Sequence, residues 1–330
     1  MIKTKIAGVG YYVPEQVITN QDLEQQMDTS NEWIVKRSGI EERRWVRDGI
    51  CTSDLAFEAS KKAMKAAKVS PEDIDLVIVG TITSYYFFPG VSAQLQDRLN
   101  SHHIGAFDVK AACSAFIYAL SIGDQFIRTG VCSTILIVGA EVQSKFLNIS
   151  TEGRDMTVLF GDGSGAAILQ KSDDESGILS THLHCQGANI KDLWMEAPGS
   201  AENCQMTNIK LEEGRHFPLM NGREVFRNAV VRFPEVIQES LDASGLTLDD
   251  VNLIIPHQAN LRISQAVAKR LGVGMDKVFS NIHKYGNTTA ASIPIALCEA
   301  VEEKKISKGD VVVLASFGAG FTWASAAIRW

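Results

Sequence analysis

The chain has 330 residues, 45% hydrophobic and 22% charged, and its 32 Lys and Arg against 39 Asp and Glu leave a formal charge of −7. That length and apolar share can bury a large core, with two compact units expected, and the negative balance argues against general nucleic-acid binding. The longest apolar runs, such as Thr134 to Val138 and Val311 to Ala315, are strand-length and far short of a bilayer span.

The first ten residues read as a strand and lack the apolar core of a signal peptide, so a cytoplasmic protein is expected. Six cysteines (Cys51, Cys113, Cys132, Cys185, Cys204 and Cys298) show no C-x-x-C spacing. They predict neither a zinc site nor a disulfide framework, and their thiols are expected to stay reduced. In chain order, a strand over Ile6 to Tyr12 precedes a short helix near Asn20 to Met27. Leu55, Ala56, Ala59, Ala63 and Ala66 recur at helical spacing, predicting a helix from Ser53, its N-cap, to Lys68. A turn at Pro71 to Asp73 leads to the strand Leu76 to Gly80. An aromatic loop, Tyr85 to Pro89, then precedes a helix over Ser92 to Leu99.

The stretch Asp108 to Phe116 carries the strongest chemical signal. An extended segment ending near Val109 runs into an apolar helix over Ser114 to Arg128, so Cys113 falls in that helix's first turn. Unpaired N–H groups and the positive helix end favour thiolate there, and Ala111, Ala112, Ser114 and Ala115 leave room for a substrate. Cys113 is therefore a candidate nucleophile, with a buried structural cysteine as the plain alternative. Strands over Thr134 to Val138 and Ala166 to Gln170 complete a strand–helix–strand–helix–strand–helix–strand–strand order.

The second half repeats the first. Ile74 to Ile78 matches Val251 to Ile255 and Thr134 to Ile137 matches Val311 to Leu314, both at an offset of 177, and Ser164 to Ile168 resembles Ser325 to Ile328 less strictly. The repeat predicts two halves, 1–172 and 173–330, packed about a pseudo-twofold axis. The same offset carries Cys113 to position 290, beside Asn287. The strand that repeats Leu76 to Gly80 ends at His257, where α/β folds place ligand sites. Taken singly, His257 could be a structural hydrogen-bonder and Asn287 a turn residue.

Cys113, His257 and Asn287 stand in words that include Thr29 to Ile40, Phe160 to Ala167, Pro256 to Arg262 and Gly286 to Ser292. Over essentially its whole length the chain resembles the 3-oxoacyl-[acyl-carrier-protein] synthase III family of thiolase-fold condensing enzymes. The resemblance implies an α/β fold of two duplicated βαβαβαββ halves in a layered αβαβα sandwich. It implies an acyltransferase that begins fatty-acid synthesis by joining an acyl-CoA primer to malonyl carrier protein. Cys113 would take the acyl group, His257 and Asn287 would stabilise the enolate left by loss of carbon dioxide, and the N–H groups of Cys113 and Ala319 would form the oxyanion hole. No metal or redox cofactor is implied.

The resemblance also assigns Thr29, Trp33, Arg37 and Arg154 to the nucleotide end of CoA, and Gly222, Phe226, Ala259 and Asn260 to the pantetheine tunnel. Arg227, Arg262 and Lys269 fall on the face that receives the acidic carrier protein, where Arg223, Arg232 and Arg270 add charge. Phe88 would close the acyl pocket across a homodimer interface. The bulk of Tyr85, Tyr86 and Phe87 beside it favours a short primer such as acetyl over branched or medium chains. Two positions depart from the common pattern, Ser114-Ala115 after the nucleophile and Ala319 where glycine is frequent; both keep small side chains. The long polar segment Cys185 to Met220 is expected to shape the tunnel mouth. Two other readings remain: a condensing or acyl-transfer relative of secondary metabolism, and a catalytically silent paralogue that binds acyl-CoA or carrier protein.

Overall fold

In the computed structural model, which describes residues 2–101, 103–200 and 207–330, two sheets repeat one strand order. The first runs Thr4–Tyr12, Gly163–Lys171, Thr134–Glu141, Leu76–Gly80, Gly105–Val109. The second runs Gly177–Cys185, Thr322–Arg329, Val311–Gly318, Leu253–Pro256. In each, the first three strands in that order pair antiparallel and the remainder of the sheet continues in parallel. Register is shared as well: Leu76 faces Ile135 in one sheet and Leu253 faces Val312 in the other, each residue displaced by 177.

The repeat is incomplete at one edge. Where the first sheet has Gly105–Val109, the second has among the described residues only an isolated bridge from Val278 to Ile254 in place of the full third strand expected of the second half. The local sequence explains this, since Gly274, Asp276 and Lys277 leave Val278 and Phe279 as the only adjacent strand formers. A smaller difference concerns the Thr52–Ala67 helix, whose N-cap is Cys51 and not Ser53. Asp54 accepts the Cys51 N–H at 2.8 Å, which sets the cap two residues sooner.

Two apolar helices lie between the sheets. Ala115–Arg128 contributes Phe116, Ile117 and Leu120, and Ser292–Glu302 contributes Ile293, Ala296 and Leu297, to one cluster with Ile135 and Ile137 of the first sheet and Val312 and Leu314 of the second. Burial on nearly every side makes both helices apolar around most of their circumference. Outside them, Thr52–Ala67 covers the far face of the first sheet, and Gly222–Ser244 with Leu261–Leu271 covers that of the second. The result is the αβαβα layering of the thiolase fold. Among the described residues, no helix is long and apolar enough to cross a membrane.

Candidate active site

The site forms where the two central helices begin. After the Gly105–Val109 strand the chain makes one tight turn, Ala112–Ser114, before the helix Ala115–Arg128. Ala112 has φ +46°, a left-handed value unusual for a residue with a Cβ. The turn is tied down by Thr322, whose hydroxyl lies 3.1 Å from the Ala111 carbonyl and 3.2 Å from Ser114 Oγ. Gly318 backs directly onto the nucleophile position: a Cβ there would stand 2.6 Å from Cys113 Cβ and 2.8 Å from its Sγ.

Cys113 is buried, and burial pushes its thiol up to about 12. The carboxylate of Glu141 adds to the rise, while the backbone N–H groups of Ala319 and of Cys113 itself pull against it. This corrects the expectation that the helix end favours thiolate. Loss of water around the sulfur outweighs the dipole and favours the thiol. The Cys113 and Ala319 N–H groups both approach the sulfur.

The second turn is built like the first. Thr289–Ala291 precedes the helix Ser292–Glu302, and Thr289 has φ +49°. Asn287 lies just before it, after Gly286, whose φ of +63° and closeness to the Leu159 carbonyl exclude a side chain. The Thr289 N–H donates to Asn287 Oδ1 at 2.8 Å. That bond sets the amide's orientation and leaves its NH2 group available. The backbone of Asn287 is fixed by bonds to Leu159 and Gly161.

His257 follows the Leu253–Pro256 strand and is fully enclosed, its N–H donating to the Ala315 carbonyl at 2.8 Å. Ring Nδ1 lies 2.5 Å from Ser292 Oγ, whereas Nε2 is buried without a partner. Desolvation pushes the imidazole down to about 3, so it is neutral at any working pH. Cys113, His257 and Asn287 all line one cavity of about 150 Å³, with Gly318 and Phe317. An orphaned ring nitrogen, a carboxamide and a thiol therefore share one enclosed space. A wider cleft of about 460 Å³ between Tyr12, Trp45, Arg47 and Arg98 contains none of these groups.

The remaining candidates fall into separate groups. Gly222, Phe226, Ala259 and Asn260 line the same cavity, as do Leu193 and Met220 from the long polar segment. Cys204 of that segment lies outside the described residues. Trp33, Arg37 and Arg154 cluster outside the cavity, with the two guanidinium carbons 4.4 and 5.1 Å from the indole centroid. Asn260 links the two places by donating to the Arg37 carbonyl at 2.9 Å, and Thr29 Oγ1 is buried without a partner. Arg223, Arg227, Arg262, Lys269 and Arg270 are exposed. Arg232 departs from that face, lying against Trp323 and bonding Gln186 and Glu235; five residues beyond Arg227 it has rotated away by about 140°. Phe88 is 81% exposed and does not line the Cys113 cavity of its own chain.

Two functional candidates escaped the sequence reading. Ser292 stood inside a recognised word without a role. Glu141 is a fully buried carboxyl that accepts from Thr83 Oγ1 at 2.6 Å, from the Ile82 N–H at 3.2 Å and from the Ala290 backbone. Burial, opposed by these bonds, pushes it up to about 8. An acidic residue ending an apolar strand was the only available signal. Among the described residues, no group of three His, Cys, Asp or Glu side chains is arranged to hold a metal ion.

Comparison with known proteins agrees along the whole chain. The family described as 3-Oxoacyl-[acyl-carrier-protein (ACP)] synthase III matches residues 107–187, and its C-terminal counterpart matches 241–330. Beta-ketoacyl-[acyl-carrier-protein] synthase III of Xanthomonas campestris pv. campestris is 46% identical over 329 residues, covering 100% of this chain and 99% of the relative. The crystal structure of 3-oxoacyl-[acyl-carrier-protein] synthase III from Aquifex aeolicus is 42% identical, with a TM-score of 0.91 over 99% of this chain and 100% of that one. The priming beta-ketosynthase of the R1128 polyketide biosynthetic pathway is 31% identical, with a TM-score of 0.90 over 98% and 95% of the two chains.

Proposed function

The chain belongs to the 3-oxoacyl-[acyl-carrier-protein] synthase III family, and we propose on that footing that Cys113, His257 and Asn287 carry its reaction. The enzyme is an acyltransferase that primes fatty-acid synthesis, condensing an acyl-CoA with malonyl carrier protein. The 46% and 42% identity to the Xanthomonas and Aquifex synthases, against 31% to the polyketide-priming enzyme, favours this role over secondary metabolism. Retention of all three polar groups around one cavity argues against a silent paralogue.

The observation that carries the residue assignment is the orphaned His257 Nε2 beside Asn287 and Cys113. In the first half-reaction the Cys113 sulfur attacks the acyl-CoA carbonyl, the bond to the CoA sulfur breaks, and the proton lost from Cys113 ends on CoA. In the second, the bond from the malonyl α-carbon to its carboxylate breaks and carbon dioxide leaves. The electron pair is delocalised onto the thioester oxygen, where His257 Nε2–H and Asn287 Nδ2–H donate. The α-carbon then bonds to the acyl carbonyl, whose oxyanion faces the N–H groups of Cys113 and Ala319. Collapse expels the Cys113 thiolate, which takes a proton from solvent. A neutral imidazole suits this sequence because it donates a hydrogen bond without surrendering its proton.

Gly222, Phe226, Ala259 and Asn260 would hold the pantetheine arm, and Thr29, Trp33, Arg37 and Arg154 the nucleotide. Stacking and cation–π attraction are the physical basis of the Trp33 group. Arg227, Arg262 and Lys269 would receive the carrier protein, and the chemistry would need no resident metal or redox cofactor. The exposed Tyr85 to Phe88 loop would cross a homodimer interface and close the partner's acyl pocket, selecting a short primer, in an enzyme working in the cytoplasm. The test is the mass of the protein after incubation with acetyl-, isobutyryl- and octanoyl-CoA. One acyl group on Cys113, added most completely from acetyl-CoA, is expected; a thiol that stays unmodified while CoA binds would return the silent paralogue.

A further inference from the structure

We infer that Ser292 is a positioning residue that holds the His257 proton on Nε2. This rests on the reading of His257 as a donor to the malonyl thioester and adds what makes it one. A neutral imidazole carries a single ring proton, and only its placement on Nε2 turns that nitrogen into a donor. Ser292 Oγ, on the first residue of the Ser292–Glu302 helix, lies 2.5 Å from His257 Nδ1.

The neighbouring bonds decide which atom donates. The Gln258 N–H points at Ser292 Oγ from 3.4 Å and occupies the oxygen as an acceptor. If Nδ1–H also donated to that oxygen, the serine hydroxyl proton would need another acceptor, and among the described residues Ser292 Oγ has hydrogen-bond contacts only to His257 and Gln258. Donation from Ser292 O–H to Nδ1 satisfies both groups and puts the imidazole proton on Nε2, the atom that faces the cavity unpartnered. Ser292 is itself 2% exposed, so water does not compete for the bond. The hydroxyl therefore acts through His257 and touches no substrate.

The readout is the tautomer itself, followed by the two half-reactions. In protein labelled with nitrogen-15 histidine, with His257→Gln used to assign the resonances by difference, the wild type should show a protonated Nε2 and an unprotonated Nδ1. Ser292→Ala should lose that preference. Its kcat for malonyl-thioester decarboxylation should fall by on the order of 10- to 100-fold with KM little changed, while the rate of Cys113 acylation by acyl-CoA stays within about twofold. Ser292→Thr, which keeps the hydroxyl, should retain the tautomer and recover most of the kcat. An unprotonated Nε2 in the wild type, an unaltered tautomer in Ser292→Ala, or equal loss of both half-reactions would overturn the inference. A wild type that acylates but never decarboxylates would instead sink the condensation reading, and the resonances would still report on Ser292.

Discussion

The two strand–turn–helix units at the centre of the molecule share one backbone and present different side chains. Ala112 and Thr289, each at left-handed φ, are 177 residues apart (289 − 112), as are the helix starts Ala115 and Ser292. Their small residues meet: Ala111 and Ala115 of one pack on Ala290 of the other. In the first copy the turn presents the Cys113 thiol against Gly318. In the second it turns the Thr289 N–H onto Asn287 and places Ser292 beneath His257. Duplication supplied a rigid corner twice. On the proposed roles, one geometry used twice would serve a divided reaction, the first copy acyl transfer and the second decarboxylation.

That division can be broken most severely at the nucleophile. Cys113→Ala should remove acylation and lower condensation by on the order of 10⁴-fold or more, read by acyl-enzyme mass and by product formation. Asn287→Ala should lower condensation by roughly 10²- to 10³-fold, the effect of losing one charge-stabilising donor. Single-turnover acylation should survive, and if it collapsed equally the two corners would not be functionally separate. Gly318→Ala forces a methyl group onto Cys113 and should destabilise the fold by about 1–3 kcal/mol with acylation impaired, as denaturant unfolding and burst amplitude would show.

Subtler changes sharpen the comparison of the two turns. Glu141 lies between them, bonded to the Ala290 backbone and raising the Cys113 thiol. Its carboxyl moves from 4.5 to about 8 on folding, so the folded chain holds the proton more tightly. The associated stability is fully present below about pH 4.5 and is lost as pH rises through about 8, at up to about 1.4 kcal/mol per pH unit. Glu141→Gln should flatten this slope in urea titrations run across that window; an unchanged slope would remove Glu141 as its source. The smallest effects concern strain. Ala112→Gly should change stability by less than about 1 kcal/mol, relief of the left-handed strain offsetting lost chain stiffness. Thr289→Gly should be net destabilising by about 1 kcal/mol because it strands the buried Gln143 amide, which donates to Thr289 Oγ1 at 2.8 Å.

Much of this was legible without coordinates. Apolar periodicity located most of the helices and strands, and a constant offset of 177 exposed the duplication because equivalent strands keep equivalent apolar residues. The words around Cys113, His257 and Asn287 identified the family, and the three line one cavity. Helix ends were less secure, as Cys51 shows, because capping depends on which side chain reaches back. The ionisation of Cys113 was misjudged for a deeper reason: a helix end is visible in a sequence, but the exclusion of water from it is not.

The sequence by itself determined the fold class and the repeat and set Cys113, His257 and Asn287 in the words of one family, since these follow from local pattern and residue identity. Only the tertiary structure decided the missing edge strand at Val278, the departure of Arg232 from the basic face, the burial of Glu141 and the contact of Ser292 with His257. Each depends on desolvation or on a side chain meeting a residue distant in sequence, and both are set by how the two halves close on one another.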